Sequence, residues 1–168
     1  MERQLPKRKP VRLRNFDYCD SGAYFLTICT ENRRKILSQI VGGDVLDAPY
    51  DIKLTSYGQI ADKFINQLSD FYTNIEVDNY VIMPNHIHII LFVLDDGASR
   101  TSPPTKQHSP ISSFVSTFKR FCNKEYGENV WQRHFYDHII RNKEDYEKHV
   151  KYIHENPIRW YFDELYVE

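Results

Sequence analysis

Two histidines alternate along the segment Pro84-Asn85-His86-Ile87-His88-Ile89-Ile90-Leu91-Phe92. In an extended strand, side chains two apart share a face, so His86 and His88 emerge together while Ile87, Ile89 and Leu91 point to the other side. Paired imidazoles can share one metal ion, and they can equally be hydrogen-bonded within a sheet; the pair alone leaves both open. A second pair lies in Glu144-Asp145-Tyr146-Glu147-Lys148-His149-Val150-Lys151-Tyr152-Ile153-His154-Glu155-Asn156-Pro157. At ~100° per residue, Tyr146, Val150 and Ile153 fall within about 60° of one another as a core stripe, and Asp145, His149, Tyr152 and Asn156 occupy a different flank. Tyr152 and Asn156 stand one helical turn apart, so a phenolic and an amide oxygen can reach toward one site. A phenol there is either a packing ring or a covalent nucleophile, and as a nucleophile its ordinary pKa near ~10 obliges it to lose a proton during attack.

These side chains need rigid elements beneath them. Tyr24-Phe25-Leu26-Thr27-Ile28-Cys29-Thr30 is aromatic and β-branched and predicts a first strand, with a weaker strand or hairpin near Lys35 to Val41. Ser56 and Gln59 have the form of a capping box, followed at helical spacing by Tyr57, Ile60, Ala61, Phe64, Leu68 and Phe71. Residues 75–82 and 86–94 predict a hairpin across Met83-Pro84-Asn85, where proline ends the ladder and asparagine favours a turn. Residues 95–109 are polar, contain proline and lack periodicity, which predicts a mobile loop. Ile111, Phe114, Val115, Phe118 and Cys122 then form one stripe of a second helix, with Lys119, Arg120 and Lys124 largely off it. Phe135 to Ile140 predicts a last strand, and Asn142 caps a helix running to about Glu155, ahead of Pro157. The order strand, helix, strand, strand, helix, strand is the split βαβ arrangement of a ferredoxin-like α+β fold: an antiparallel sheet flanked by helices, here with an appended C-terminal helix.

With 168 residues, 41% of them apolar, the chain can fill one core but hardly two, so residues 1–168 are expected to form a single domain. Lys and Arg number 22 against 23 Asp and Glu, a net charge of −1 that excludes a uniformly basic chain and an acidic, disordered one. The charge is uneven. Residues 1–16 hold Arg3, Lys7, Arg8, Lys9, Arg12 and Arg14 against Glu2 alone, a local +5, so a polyanion would be held locally; this extension and Lys119, Arg120 and Lys124 are either phosphate contacts or a solvated tail and a solvated helix face. Cys19, Cys29 and Cys122 include no CxxC pair, which argues against a disulfide framework or a cysteine zinc site. No signal-like stretch opens the chain, and the longest apolar run, Ile89 to Leu94, is far shorter than the roughly 18 residues of a membrane span. A soluble, cytoplasmic protein without a membrane partner is expected.

The series PNHIHIILF, WQRHFYDHIIR and EDYEKHVKYIHENP, within a match running from Tyr24 through Pro157, resembles the single-tyrosine HUH transposases, and most closely their REP-associated tyrosine transposase branch. The resemblance implies that His86 and His88 bind a divalent ion, Mg²⁺ or Mn²⁺, that Asn156 supplies a further ligand, and that Tyr152 is the catalytic nucleophile. It also implies cleavage and rejoining of single-stranded DNA near repeat hairpins through a 5′-phosphotyrosine link, with a free 3′-hydroxyl on the other fragment. Some relatives dimerise and others act alone, so monomer and homodimer both fit. His134, His138, His149 and His154 either contact DNA or tune the site, or are surface and hydrogen-bonded histidines, which is the commoner case. Two other readings compete. Histidine-triad nucleotide hydrolases carry three alternating histidines, and Ile90 in the third place removes that chemistry. A catalytically silent hairpin or single-stranded DNA-binding protein needs neither the ion nor the tyrosine.

The charge of the N-terminal extension makes its own prediction. Deleting residues 1–14 is expected to weaken binding to a hairpin-ended oligonucleotide and to flatten the dependence of log Kd on log salt, because each phosphate neutralised contributes a slope of about one. Fluorescence anisotropy across 50–300 mM salt, roughly the range in which such contacts are lost, checks it; an unchanged slope refutes it.

Overall fold

A computed structural model describes residues 21–42, 51–95 and 109–166. The basic extension, with Arg3, Lys7, Arg8, Lys9, Arg12 and Arg14, and nearly all of the 95–109 loop lie outside the described residues. The elements in chain order are β1 (Gly22–Cys29), β2 (Ser38–Val41), β3 (Asp51–Leu54), α1 (Ser56–Phe71), β4 (Ile75–Ile82), β5 (His86–Val93), α2 (Pro110–Tyr126), β6 (Tyr136–Ile140) and α3 (Lys143–Glu155). A four-stranded sheet runs β4-β5-β1-β6 with every neighbouring pair antiparallel. Without the β2-β3 hairpin, this is the strand order of the ferredoxin-like fold, as the sequence predicts.

Strand alternation divides the sheet into two faces. Tyr24, Leu26 and Ile28 of β1 and Ile87, Ile89 and Leu91 of β5 are buried in one cluster with Ile111, Phe114 and Phe118 of α2 and Ala61, Ile65 and Leu68 of α1. The intervening residues of the same strands face α3: Phe25 and Ile90 join Ile153, Met83 and Trp160 in a second cluster. Cys29 stands opposite His86 and Thr27 opposite His88 in the β1–β5 register. The histidine strand is therefore central, paired on both edges and covered on both faces.

The buried stripe of α2 is the predicted one: Ile111, Phe114, Val115, Phe118 and Cys122. Three details differ from the sequence reading. The cap of α1 is Thr55, whose Oγ1 accepts from Gly58 N, so Ser56 is the first helical residue. Thr55 wins because its own N–H also donates to the Leu37 carbonyl at 3.0 Å, tying the helix start to the segment before β2. Phe71, at the end of the predicted stripe, is 74% exposed, while Ile65 fills the core. The hairpin partner β3 also lies beyond the predicted 35–41 stretch.

Gly58 is where that tie is tightest. A Cβ built on it would lie 2.0 Å from the Leu37 carbonyl oxygen. Alanine normally favours a helix over glycine by roughly 1 kcal/mol, yet Gly58→Ala is expected to lower stability by about 2 kcal/mol, since the backbone must move to accept the methyl. Urea unfolding followed by circular dichroism checks the sign; a stabilised variant would mean that the Leu37 segment yields freely.

Candidate active site

The pair on β5 is deeply buried, His86 at 0% and His88 at 2% exposure, with ring centroids 4.5 Å apart. A chain of hydrogen bonds fixes the first ring. Asn85 Nδ2 donates to the Leu165 carbonyl (2.8 Å), which turns Asn85 Oδ1 toward His86 Nδ1 (2.8 Å). That oxygen can only accept, so the His86 proton sits on Nδ1 and the lone pair on Nε2. Thr27 Oγ1 meets His88 Nδ1 at 2.9 Å and orients the second ring; with the Nδ1 proton donated to that hydroxyl, the lone pair is on Nε2. Both Nε2 atoms are buried without a hydrogen-bond partner. Burial drives His86 down to about 3, with the neighbouring Asn156 amide pulling the other way, and holds His88 well below the usual imidazole range. Both rings are neutral at physiological pH, which is the form that binds metals.

Helix α3 lies over this face, capped by Asn142, whose side chain accepts from Asp145 N at 2.9 Å. Ile153 is buried beneath it, whereas Tyr152 faces the groove at 43% exposure. The ring of Tyr152 lies edge-on to His88, centroids 5.1 Å apart, and edge-on to Phe25 at 6.0 Å. One turn later Asn156 is buried at 2%. Its Nδ2 donates to Asp163 Oδ2 (2.9 Å), and its Oδ1 is left buried without a donor. The structure thus brings the pair His86 and His88 together with Tyr152 and Asn156, 64 or more residues away in sequence (88 to 152). Three buried acceptors without donors, two imidazole and one amide, are the donor set a divalent cation takes, so the residues fit a metal ion.

Asp163 is a residue that the sequence reading missed. It follows the short 3-10 turn Trp160–Phe162, and its Oδ2 also accepts from the Tyr152 hydroxyl at 3.3 Å. Burial first, and then the Asp163 charge, push the Tyr152 phenol up to about 12. Nothing periodic in the sequence announces Asp163, because a chain reversal after Pro157 carries it back. Trp160, buried with its ring centroid 5.9 Å from His86, anchors that reversal.

An open groove of about 890 Å³ runs past Tyr152 and His88. Lys148, Lys151 and Arg159 line it together with Tyr136, which is 56% exposed. The sequence carries a signal for one of these cations: Lys148 stands one helical turn before Tyr152 and shares its flank. Lys119 is placed differently from its sequence reading as a DNA contact. Its Nζ donates to the Gln132 carbonyl (2.7 Å), with the Arg133 and His134 carbonyls at 3.4 and 3.3 Å, and burial lowers it to about 8. It ties α2 to the segment before β6. Arg120 is exposed, its guanidinium 5.2 Å from the Phe121 ring. His138 and His149 stack at 4.6 Å around Asp145, and Phe25 separates His149 from His88.

Neutral burial of the imidazoles sets a pH dependence. The unfolded chain takes up protons on these rings below about pH 6.5, and the native His86 resists until about 3. Their contribution to stability is therefore full above about 6.5 and is lost as pH falls toward 3. In chelator, His86→Gln is expected to show a shallower loss of stability than the unmodified protein across that window, by urea unfolding at stepped pH; parallel curves would contradict the burial argument.

No protein-family model matches the chain. It is 29% identical over 176 residues to an uncharacterized protein of Haemophilus influenzae, covering 96% of this chain and 94% of that one. It is 30% identical over 145 residues to a REP-associated tyrosine transposase of Escherichia coli K12, covering 84% of this chain and 70% of the relative. The structure of a REP-associated tyrosine transposase bound to a REP hairpin superposes with a TM-score of 0.63 at 27% identity, over 89% of this chain and 73% of that one. Among the described residues no helix is long and apolar enough to cross a membrane. With fold, curated relative and solved structure in agreement, the chain belongs to the REP-associated tyrosine transposase family.

Proposed function

We propose that this protein, acting as one domain over residues 1–168, cleaves and rejoins single-stranded DNA beside repeat hairpins, with Tyr152 as the nucleophile. The observation that carries the reading is the tyrosine hydroxyl held beside three donorless buried acceptors, His86 Nε2, His88 Nε2 and Asn156 Oδ1. A related transposase has been captured on a REP hairpin, which supports hairpin DNA as the partner here.

The DNA strand lies in the groove, its phosphates near Lys148, Lys151 and Arg159 and a base against the exposed ring of Tyr136. The N-terminal cations and Arg120 extend the electrostatic footprint. The Tyr152 oxygen attacks the scissile phosphorus; the new O–P bond forms as the P–O3′ bond breaks, leaving a 5′-phosphotyrosine and a 3′-oxygen that takes up a proton. Because the bond energy is kept in the phosphotyrosine, a 3′-hydroxyl can reverse the step and reseal or transfer the strand without ATP. His86, His88 and Asn156 would hold the divalent cation, Mg²⁺ or Mn²⁺, which when bound neutralises the phosphate and stabilises charge on the departing oxygen. Tyr152 is protonated at rest, since burial and the Asp163 charge raise it, so its proton must leave as attack proceeds.

Denaturing gels of the protein with Mn²⁺ and end-labelled oligonucleotides spanning a repeat hairpin test the reading. A covalent adduct is expected with the unmodified protein, none with Tyr152→Phe, and at least about 100-fold less with His86→Ala, the scale of losing a transition-state charge partner. Hairpin binding with no adduct would instead establish a silent DNA-binding protein.

A further inference from the structure

Asp163 is the acid that the fold brings to the histidine pair. One of its carboxylate oxygens and one nitrogen each of His86 and His88 lie within 4.8 Å of one another. Ligand atoms around a shared ion at about 2.1 Å stand roughly 3–4 Å apart, so a movement of about an ångström completes the set. Its other bonds leave room: Oδ1 accepts from Leu165 N (2.6 Å), and Oδ2 from Asn156 Nδ2 (2.9 Å) and Tyr152 Oη (3.3 Å). A carboxylate has about four acceptor sites, so one remains. Two imidazoles and an amide bring no charge to a dication, and hard cations such as Mg²⁺ and Mn²⁺ favour carboxylate oxygen.

We propose that Asp163 is a further ligand of the ion held by His86, His88 and Asn156, joining the tyrosine hydroxyl to the ion's ligand shell. The inference rests on the metal-dependent reading above. It gives Asp163 a second duty, because its bond to Asn156 Nδ2 turns Asn156 Oδ1 away from Asp163 as a free acceptor. The segment is well secured for this. Arg33 donates to the Glu164 carbonyl (2.9 Å), Asn85 donates to the Leu165 carbonyl (2.8 Å), and Trp160 is buried.

Mn²⁺ titration of the full chain without DNA, read from the free-ion EPR signal, tests it. Asp163→Asn keeps the shape and an acceptor oxygen but removes the charge, and it is expected to weaken Mn²⁺ binding by about 10–100-fold. Tyr152→Phe, which removes a neighbour and no ligand, should stay within about twofold by the same scale. If Asp163→Asn binds as tightly as the unmodified protein while His86→Ala does not bind, the inference is overturned and the histidine site stands. If the unmodified protein takes up no Mn²⁺, or His86→Ala binds it unchanged, the metal reading itself falls, and this inference with it. A second measurement needs no variant: protein labelled with carboxyl-¹³C aspartate should show ¹³C hyperfine coupling to bound Mn²⁺, and its absence would also overturn the assignment.

Discussion

Hydrogen-bond donors are withheld from three buried acceptors at one place, and the surrounding structure is arranged to sustain that. An unsatisfied buried polar atom costs about 1–3 kcal/mol, a sizeable share of the roughly 5–15 kcal/mol by which a domain is stable. His86 Nε2, His88 Nε2 and Asn156 Oδ1 are not paired within the fold. Instead each has its other polar atom held: His86 Nδ1 by Asn85, His88 Nδ1 by Thr27, and Asn156 Nδ2 by Asp163. Fixing one end of a side chain aims the other, and second partners of this kind are what set ligand orientation in metal sites.

The fold supplies the stiffness this requires. A strand at a sheet edge could twist until its side chains found donors, but β5 is paired with β1 from His86 to Val93 on one side and with β4 from Ile87 to Val93 on the other. On the far face, Ile87, Ile89 and Leu91 are locked under α1 and α2, so the histidines cannot rotate out without breaking that core. The near face is closed by Ile153 and Trp160. The apolar layers on both sides thus convert the strand's alternation into a fixed pair of imidazoles.

How much of this is legible in the sequence follows from how local each signal is. His86 and His88 share a face because the period of a strand is two, and Tyr152 and Asn156 share a flank because a helical turn is close to four; both inferences use only neighbours in the chain. The α2 stripe is read the same way, and all five of its predicted residues are buried. The misses depend on distant partners. Thr55 rather than Ser56 caps α1 because Leu37 supplies a second bond. Lys119 looks like a surface cation on a helical wheel, yet three carbonyls from residues 132–134 surround its ammonium. Asp163 is invisible because its place is set by a reversal after Pro157 and by Trp160 finding the gap beside His86.

The end of α3 carries the proposed nucleophile, Tyr152, and the site amide, Asn156, on one short stretch of backbone. Asn156 closes the helix in helical geometry, with its N–H bonded to the Tyr152 carbonyl at 2.9 Å, and the turn that Pro157 begins follows at once. Tyr152 and Asn156 are therefore parts of one rigid turn, and Ile153 between them is buried against the sheet. Sliding the helix to carry the phenol toward a phosphate would drag the Asn156 amide off the site and expose Ile153. Rotation of the tyrosine side chain does neither. Its ring is edge-on to His88 and Phe25, and its hydroxyl makes a long bond to Asp163, so the phenol can turn while the backbone stays. The reaction proposed above asks Tyr152 to attack, wait and then release the strand at the same phosphorus. A side chain that moves by torsion over a stationary site meets that demand with the least rearrangement.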